Sequence, residues 1–361
     1  MAEIKYEVVK KGIKEAIERG DYQVGEKLPT ESDLMAKYQV SRYTVRRAVG
    51  ELQNDHYVYR IQGGGMYVDD WQDSSTKRII NNKMIGVITT HLADYIFPSI
   101  ISGIDRAVSA RGYSLIISNT HNNREKEAQS LKQMLDNQVA GLIIEPTQSA
   151  MPDPNIELYQ KIEDAKIPTV FIDAHYSELN APYLETKDME AEAAMTSYLI
   201  DQGHKQILGI FQVDDMQGTH RMRGFINAYM EHPDISYLNK IIMYQSGQDM
   251  SKVFKQVSDI MSAPDHPTAV MCYNDELAIQ IMDVIRSLNL KIPEDVSITG
   301  CDDFVLGRYL KPRLTTLEHP KEKMGLDAGS MIVKLIEGET VESIKYDMPP
   351  HFNDSVTENK N

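Results

Sequence analysis

Apolar residues follow two rhythms along this chain. In the first seventy residues the spacing is helical: Val45, Ala48, Val49 and Leu52 fall at i, i+3, i+4 and i+7, which makes one buried helix face. Ser41 stands where that helix needs a cap. A shorter helix precedes it, with Leu34 and Met35 as its apolar side, Thr30 as N-cap and Asp33 at the capping-box position. Gln39-Val40 turns the chain between them. Tyr57 to Ile61 and Met66 to Val68 are β-prone runs around Gln62-Gly63-Gly64-Gly65, which predicts a hairpin with a tip free of bulk. Helix, helix–turn–helix and hairpin in this order predict a winged helix-turn-helix over residues 1–68.

Beyond Met84 the rhythm changes. Short continuous apolar runs alternate with amphipathic helical segments: Met84–Thr89, Tyr113–Ser118, Ala140–Ile144, Pro168–Asp173, Gln206–Phe211, Thr268–Tyr273 and Val296–Gly300 read as strands. Such alternation predicts parallel sheets joined by right-handed crossovers. One sheet before residue 180 and one after it give two lobes with a cleft between, so the fold class is α/β overall. A polar stretch without helical periodicity, residues 69–83, reads as a linker and contains the single tryptophan, Trp71. The predicted organisation is 1–68, linker 69–83 and a two-lobed body over 84–361.

Charge separates these parts. The 361 residues carry a net charge of −15. Residues 1–68 hold 11 Lys and Arg against 10 Asp and Glu, whereas the remainder holds 27 against 43. The acidity belongs to the body, so a nonspecific coat on nucleic acid is excluded, and the near-neutral head must focus its arginines on one face. Cys272 and Cys301 lie in apolar strand-like runs and read as buried, reduced thiols. No run approaches ~18 apolar residues and no secretory signal is visible. The expectation is a cytoplasmic protein with no membrane partner and no cofactor or metal.

On the second helix of the head, Arg42, Tyr43, Thr44, Arg46 and Arg47 stand away from the buried face or in the first turn. That is where a DNA-reading helix contacts base edges and phosphates. A solvated surface helix is the bland alternative, and the glycine-rich hairpin that follows weighs against it. The segment Leu28 to Leu52 with its Gly-Gly-Gly wing resembles the winged-helix domain of GntR-type bacterial regulators. By that resemblance Glu31, Arg42, Tyr43, Arg46 and Gln62 contact operator DNA, Ser41, Thr44, Arg47, Gly63 and Gly64 flank them, and Lys5 lies near the DNA backbone.

In open α/β sheets ligands sit at the carboxyl ends of strands. Glu145, Asp173, Asn274 and Asp302 each end a predicted strand, and Arg221 is read as opening a helix after the Asp214–Gly218 loop. Tyr95 and Phe97 follow the first strand of the body and could face the C–H side of a sugar. A sugar needs such a set of carboxylates, amides and a guanidinium on its hydroxyls. Each residue alone also has a plain explanation, since Asp or Asn after a strand is usually a helix cap.

The span from Met84 to Asp354 resembles the effector domain of LacI-type repressors, a periplasmic-binding-protein-like fold with two parallel sheets. The resemblance rests on Ile292 to Asp303, Tyr273-Asn274-Asp275-Glu276 and Arg221-Met222-Arg223-Gly224-Phe225. It implies that Asp302, Asn274, Arg221 and Asp173 bind effector and that the body forms a homodimer. A GntR-type head on a LacI-type body resembles the repressors of arabinose operons, which implies L-arabinose as effector and operator double-stranded DNA as partner. Another pentose, a phosphorylated sugar or a nucleoside is the alternative effector. A sugar-acting enzyme is the alternative class, but the chain lacks a Gly-x-Ser-x-Gly elbow, a zinc-type His-Glu pair and a phosphate-binding Gly-Lys-Ser/Thr sequence. His121, His204, His220 and His319 are scattered in sequence.

Overall fold

Local signals fix the head. The structure, a computed structural model, describes residues 5–55, 57–61, 65–69, 83–93, 95–152 and 154–359. The chain falls into two compact units, Met1–Asn81 and Asn82–Asn361. In the first, α1 (Lys5–Glu18), α2 (Glu31–Tyr38) and α3 (Arg42–Asn54) precede the antiparallel pair β1 (Val58–Ile61) and β2 (Gly65–Val68). Thr30 and Asp33 form the reciprocal capping box of α2, and Gln39 closes that helix in the left-handed conformation at φ 51°. Ser41 accepts from the Thr44 N–H and starts α3. Val9, Ile13 and Ile17 of α1 meet Leu34, Val45, Val49 and Leu52 in a single core, closed by Val58, Met66 and Val68. The wing-tip residues Gln62, Gly63 and Gly64, and residues 70–82 of the linker with Trp71, lie outside the described residues.

The second unit contains two parallel sheets. The first lobe holds β3 (Met84–Thr89), α4 (Phe97–Ser109), β4 (Ser114–Asn119), α5 (Arg124–Asp136), β5 (Gly141–Ile144), α6 (Ile156–Asp164), β6 (Thr169–Ile172) and β7 (Tyr183–Thr186). The second lobe holds α7 (Asp188–Asp201), β8 (Ile207–Gln212), α8 (Met216–Met230), β9 (Lys240–Tyr244), α9 (Met250–Met261), β10 (Ala269–Cys272), α10 (Asp275–Ser287) and β11 (Ser297–Thr299). After a 3-10 turn at Val305–Tyr309, the chain forms β12 (Thr316–Leu317), α11 (Lys321–Ile336), β13 (Ile344–Tyr346) and β14 (Pro350–His351). The first sheet runs β13-β7-β6-β5-β3-β4 and the second β11-β10-β8-β9, every pair parallel; β12 and β14 pair antiparallel.

The division at residue 180 needs correction. β7 still belongs to the first sheet, and α11 with β13 returns to it from the second lobe. The apolar face of α11 (Met324, Ala328, Ile332) packs on Ile100 and Ile104 of α4. Glycine permits that approach: a Cβ on Gly325 would stand 2.1 Å from the Ile100 carbonyl oxygen. Chain therefore crosses between the lobes around residues 187, 318–320 and 347–349. These crossings border the cleft.

Candidate functional site

The exposed face of α3 carries the head's charge. Tyr43 is 76 % exposed. Arg42 and Arg46 extend beside it and converge on Glu31, the first residue of α2. The Arg46 Nε donates to both Glu31 carboxylate oxygens at 3.1 and 3.0 Å, Arg60 of β1 donates at 3.3 Å, and Arg42 lies 3.9 Å away. One carboxylate thus holds arginines from the helix and from the wing strand. Arg47 turns elsewhere, its guanidinium 3.9 Å from the Tyr6 ring centre and 3.8 Å from Glu51, so it braces α1 against α3. Ser41 caps α3 and shares a 2.9 Å hydrogen bond with the Thr44 hydroxyl. Lys5 is exposed at the start of α1.

In the body, a cleft of about 340 Å³ opens at the carboxyl ends of both sheets. Tyr95, Phe97, Glu145, Asp173, Arg221, Asn274 and Asp302 all line it. Topology explains this convergence: each follows a strand of a parallel sheet, and parallel strands end on the same side. Arg221 is 3 % exposed. Its Nε donates to Asp188 at 2.8 Å, one terminal nitrogen to the Tyr273 carbonyl at 2.7 Å, and the other to Asp302 at 3.1 Å. It does not open a helix. Asp215 caps α8 by accepting from the Gly218 N–H at 2.6 Å, so α8 begins at Met216 and Arg221 lies in its second turn.

Asp302 is held from both sides. One oxygen faces Arg221, and the other accepts from the Tyr95 hydroxyl at 2.7 Å. Burial works against its charge, but Arg221, His319 and Tyr95 outweigh burial and pull its pKa below the usual carboxylate range. Tyr95 belongs to the first lobe and Asp302 to the second, so this bond spans the cleft. The Tyr95 ring stacks at a tilt on Phe304, 4.9 Å between centroids. Tyr95 therefore serves as a bridge as well as an aromatic wall. Phe97 is buried beside His91 at the start of α4.

Three further carboxyl or amide groups complete the wall. Glu145 accepts from the Thr90 N–H at 2.7 Å and the Thr90 hydroxyl at 2.9 Å; burial, then the neighbouring Asp173, raises its pKa well above the ordinary value. Asn274 spends its carbonyl oxygen on the Leu277 N–H at 2.9 Å, capping α10 while facing the cleft. Asp173, at φ 63°, accepts from His319 Nε2 at 3.0 Å.

His319, Asp215 and Tyr273 are lining residues that the sequence reading did not select. His319 sits in a lobe crossing with no periodic signal. Burial pushes Asp215 up to about 6, although the Gly218 N–H and the Tyr273 hydroxyl (2.8 Å) favour its charge. An Asp before a helix was the one available signal for it.

Residues 5–68 match the bacterial regulatory proteins of the gntR family, and residues 196–354 match the periplasmic binding protein-like domain. The chain is 41 % identical over 339 residues to the arabinose metabolism transcriptional repressor of Halalkalibacterium halodurans, covering 93 % of this chain and 90 % of that one. It is 37 % identical to the protein of the same name from Geobacillus stearothermophilus, covering 94 % and 93 %. The chain belongs to the arabinose metabolism transcriptional repressors. The body of this repressor also superposes on the periplasmic binding protein/LacI transcriptional regulator of Alkaliphilus metalliredigens, solved with D-xylulofuranose, at a TM-score of 0.65 and 22 % identity. That match covers 76 % of the repressor and 99 % of the other chain, and it establishes the fold. These relatives are regulators rather than enzymes. No helix among the described residues is long and apolar enough to cross a membrane.

Proposed function

We propose that this repressor binds operator DNA through α3 and its wing and releases it when L-arabinose enters the cleft of the body. One observation carries the effector reading. Asp173 Oδ2 and His319 Nδ1 are both buried at the cleft and have no hydrogen-bond partner. His319 Nε2 faces Asp173, which leaves the second ring nitrogen, Nδ1, open to a hydroxyl that can either donate to it or accept from it. A buried carboxylate oxygen and a buried ring nitrogen without partners call for a ligand that brings hydroxyls, each able to donate or accept, since buried polar groups are otherwise satisfied. A neutral polyol does this and a phosphate does not. Among the described residues, Arg221 is the only Arg or Lys lining the cleft, and its donors already face Asp188, Tyr273 and Asp302. Among neutral sugars, L-arabinose is favoured because the curated relatives are named arabinose metabolism transcriptional repressors.

The sugar lowers operator affinity only if it binds the arrangement of lobes that is poor at binding DNA more tightly than the other. Tyr95 and Asp302, bonded across the cleft, are the groups whose contact a sugar would share or replace. The repressor acts in the cytoplasm as a homodimer, which doubles the arginines offered to a pseudo-palindromic operator. Titration of the full chain onto its own upstream promoter, at fixed salt, with L-arabinose, D-xylose or D-ribose, tests the reading. Release by L-arabinose alone supports it. Binding indifferent to all three sugars removes the effector assignment, and absence of specific DNA binding removes the reading altogether. Sedimentation of the same sample checks the dimer.

A further inference from the structure

We infer that Lys321 is a positioning residue for the effector: it holds the backbone turn that aims Asp302 into the cleft and ties that turn to the opposite lobe. The inference rests on the effector reading above for its consequence, though not for its geometry. Asp302 and Asp303 are consecutive non-glycine residues at φ 96° and 46°. Left-handed backbone at two side-chain-bearing residues persists only where surrounding contacts over-determine it. Here the amides are used locally, with Asp302 N–H on the Leu317 carbonyl at 2.7 Å and Asp303 N–H on the Thr316 hydroxyl at 3.2 Å. Their two carbonyls both face Lys321: Nζ donates to the Asp302 oxygen and, at 3.2 Å, to the Asp303 oxygen.

Lys321 is an odd residue for its place. It is the first residue of α11, and a cation at a helix N-terminus opposes the helix dipole. A contact that offsets this cost must lie outside the helix, and the two carbonyls supply it. The ammonium also sits near the Asp302 carboxylate and helps keep it ionised. The rest of α11 is packed against α4 and the first sheet, whereas Asp302 follows β11 of the second sheet. Lys321 therefore joins the two lobes at a crossing, on the backbone side of the same aspartate that Tyr95 reaches from its carboxylate side. Its side chain meets no effector; it acts through Asp302.

Two substitutions test this in the full chain. Lys321→Met keeps the stem and removes the donor; Lys321→Arg restores a donor and the charge. In sugar-free protein, amide hydrogen exchange over residues 300–304 rises at least tenfold in K321M and stays within threefold of the parent in K321R. L-arabinose affinity by calorimetry falls at least tenfold in K321M and recovers to within threefold in K321R. Unchanged exchange over 300–304 in K321M overturns the inference. So does an equal loss of arabinose affinity in both variants, because any disturbance at that position would produce it. A parent chain that binds no L-arabinose overturns the effector reading instead, and the exchange measurement still decides the role of Lys321.

Discussion

The exposed face of α3 and the cleft of the body use the same side chains, arginine and carboxylate, under opposite conditions. On the head, Glu31 gathers Arg42, Arg46 and Arg60 in water, with the Arg46 side chain 59 % exposed. In the body, Arg221 joins Asp188 and Asp302 with side chains at most 5 % exposed. An exposed pair is screened and contributes little to folding, so its residues remain available to a charged partner. A buried pair is costly to break, because the remaining charge is left without water. The head can exchange its ion pairs for phosphates at little cost. The body's polar wall is held by buried pairs that are costly to break one at a time, which suits the proposed switch.

The sharpest way to break this comparison is Arg221→Met. It leaves the buried Asp188 and Asp302 carboxylates without their shared counter-ion, and we expect a loss of ~3–5 kcal/mol of folding stability. Urea unfolding of the full chain followed by far-UV circular dichroism reads it. A loss below about 1 kcal/mol would place the cleft pair in the same class as the surface pairs.

Next in size is the effect of pH. Glu192 lies behind Arg221 on α7 with one oxygen buried and unpartnered, and burial raises its pKa from 4.5 to about 8. The folded state then keeps a proton that the unfolded chain has released. Stability drawn from that proton falls as pH rises between about 4.5 and 8, and is lost above it. Glu192→Gln removes the titration, so the variant gains on the parent across that window. A stability difference between the two that stays constant from about pH 5 to pH 9 would show that Glu192 titrates normally.

Legibility in the sequence follows the same divide. The head was readable because each of its signals is local: the Thr30–Asp33 box, the Ser41 cap and the apolar face of α3 lie within one or two turns. In the cleft, the strand-end rule found Glu145, Asp173, Asn274 and Asp302, since a parallel sheet sends every such end to one side. It missed His319, which lies on a crossing rather than a sheet strand and whose role depends on Asp173, distant in sequence. It also placed the lobe boundary as a single cut, because periodicity identifies a helix such as α11 but not the sheet it covers. The start of α8 shifted for a related reason: the Asp215 cap was hidden in a run read as loop.

Asp173→Asn moves stability little and binding a great deal. It turns the unpartnered acceptor Oδ2 into a possible donor while leaving an oxygen for His319. Loss of one buried hydrogen bond to a sugar hydroxyl costs about 1–3 kcal/mol, roughly five- to 150-fold in affinity. Calorimetry with L-arabinose checks this, and operator binding without sugar is expected to match the parent. Full arabinose affinity in the variant would separate Asp173 from the effector.

The smallest effect on folding belongs to the head. Arg46→Ala removes the main partner of Glu31, yet both groups reach water, and the change in stability stays within about 0.5 kcal/mol. Operator affinity nonetheless falls by about 1–3 kcal/mol if Arg46 reads a base; if it anchors a phosphate, the loss is uniform across sequences and the salt slope drops by about 1. Glu31→Gln separates the two roles of that hub. Where Glu31 serves only to hold Arg46 and Arg60 in place, the amide keeps part of the contact and binding weakens modestly with the same sequence preference. Where Glu31 itself accepts from a base, preference at one operator position relaxes. Titrations of both variants against a set of single-base operator changes, at two salt concentrations, distinguish these outcomes, and a stability loss as large as that of Arg221→Met would erase the contrast between the two faces.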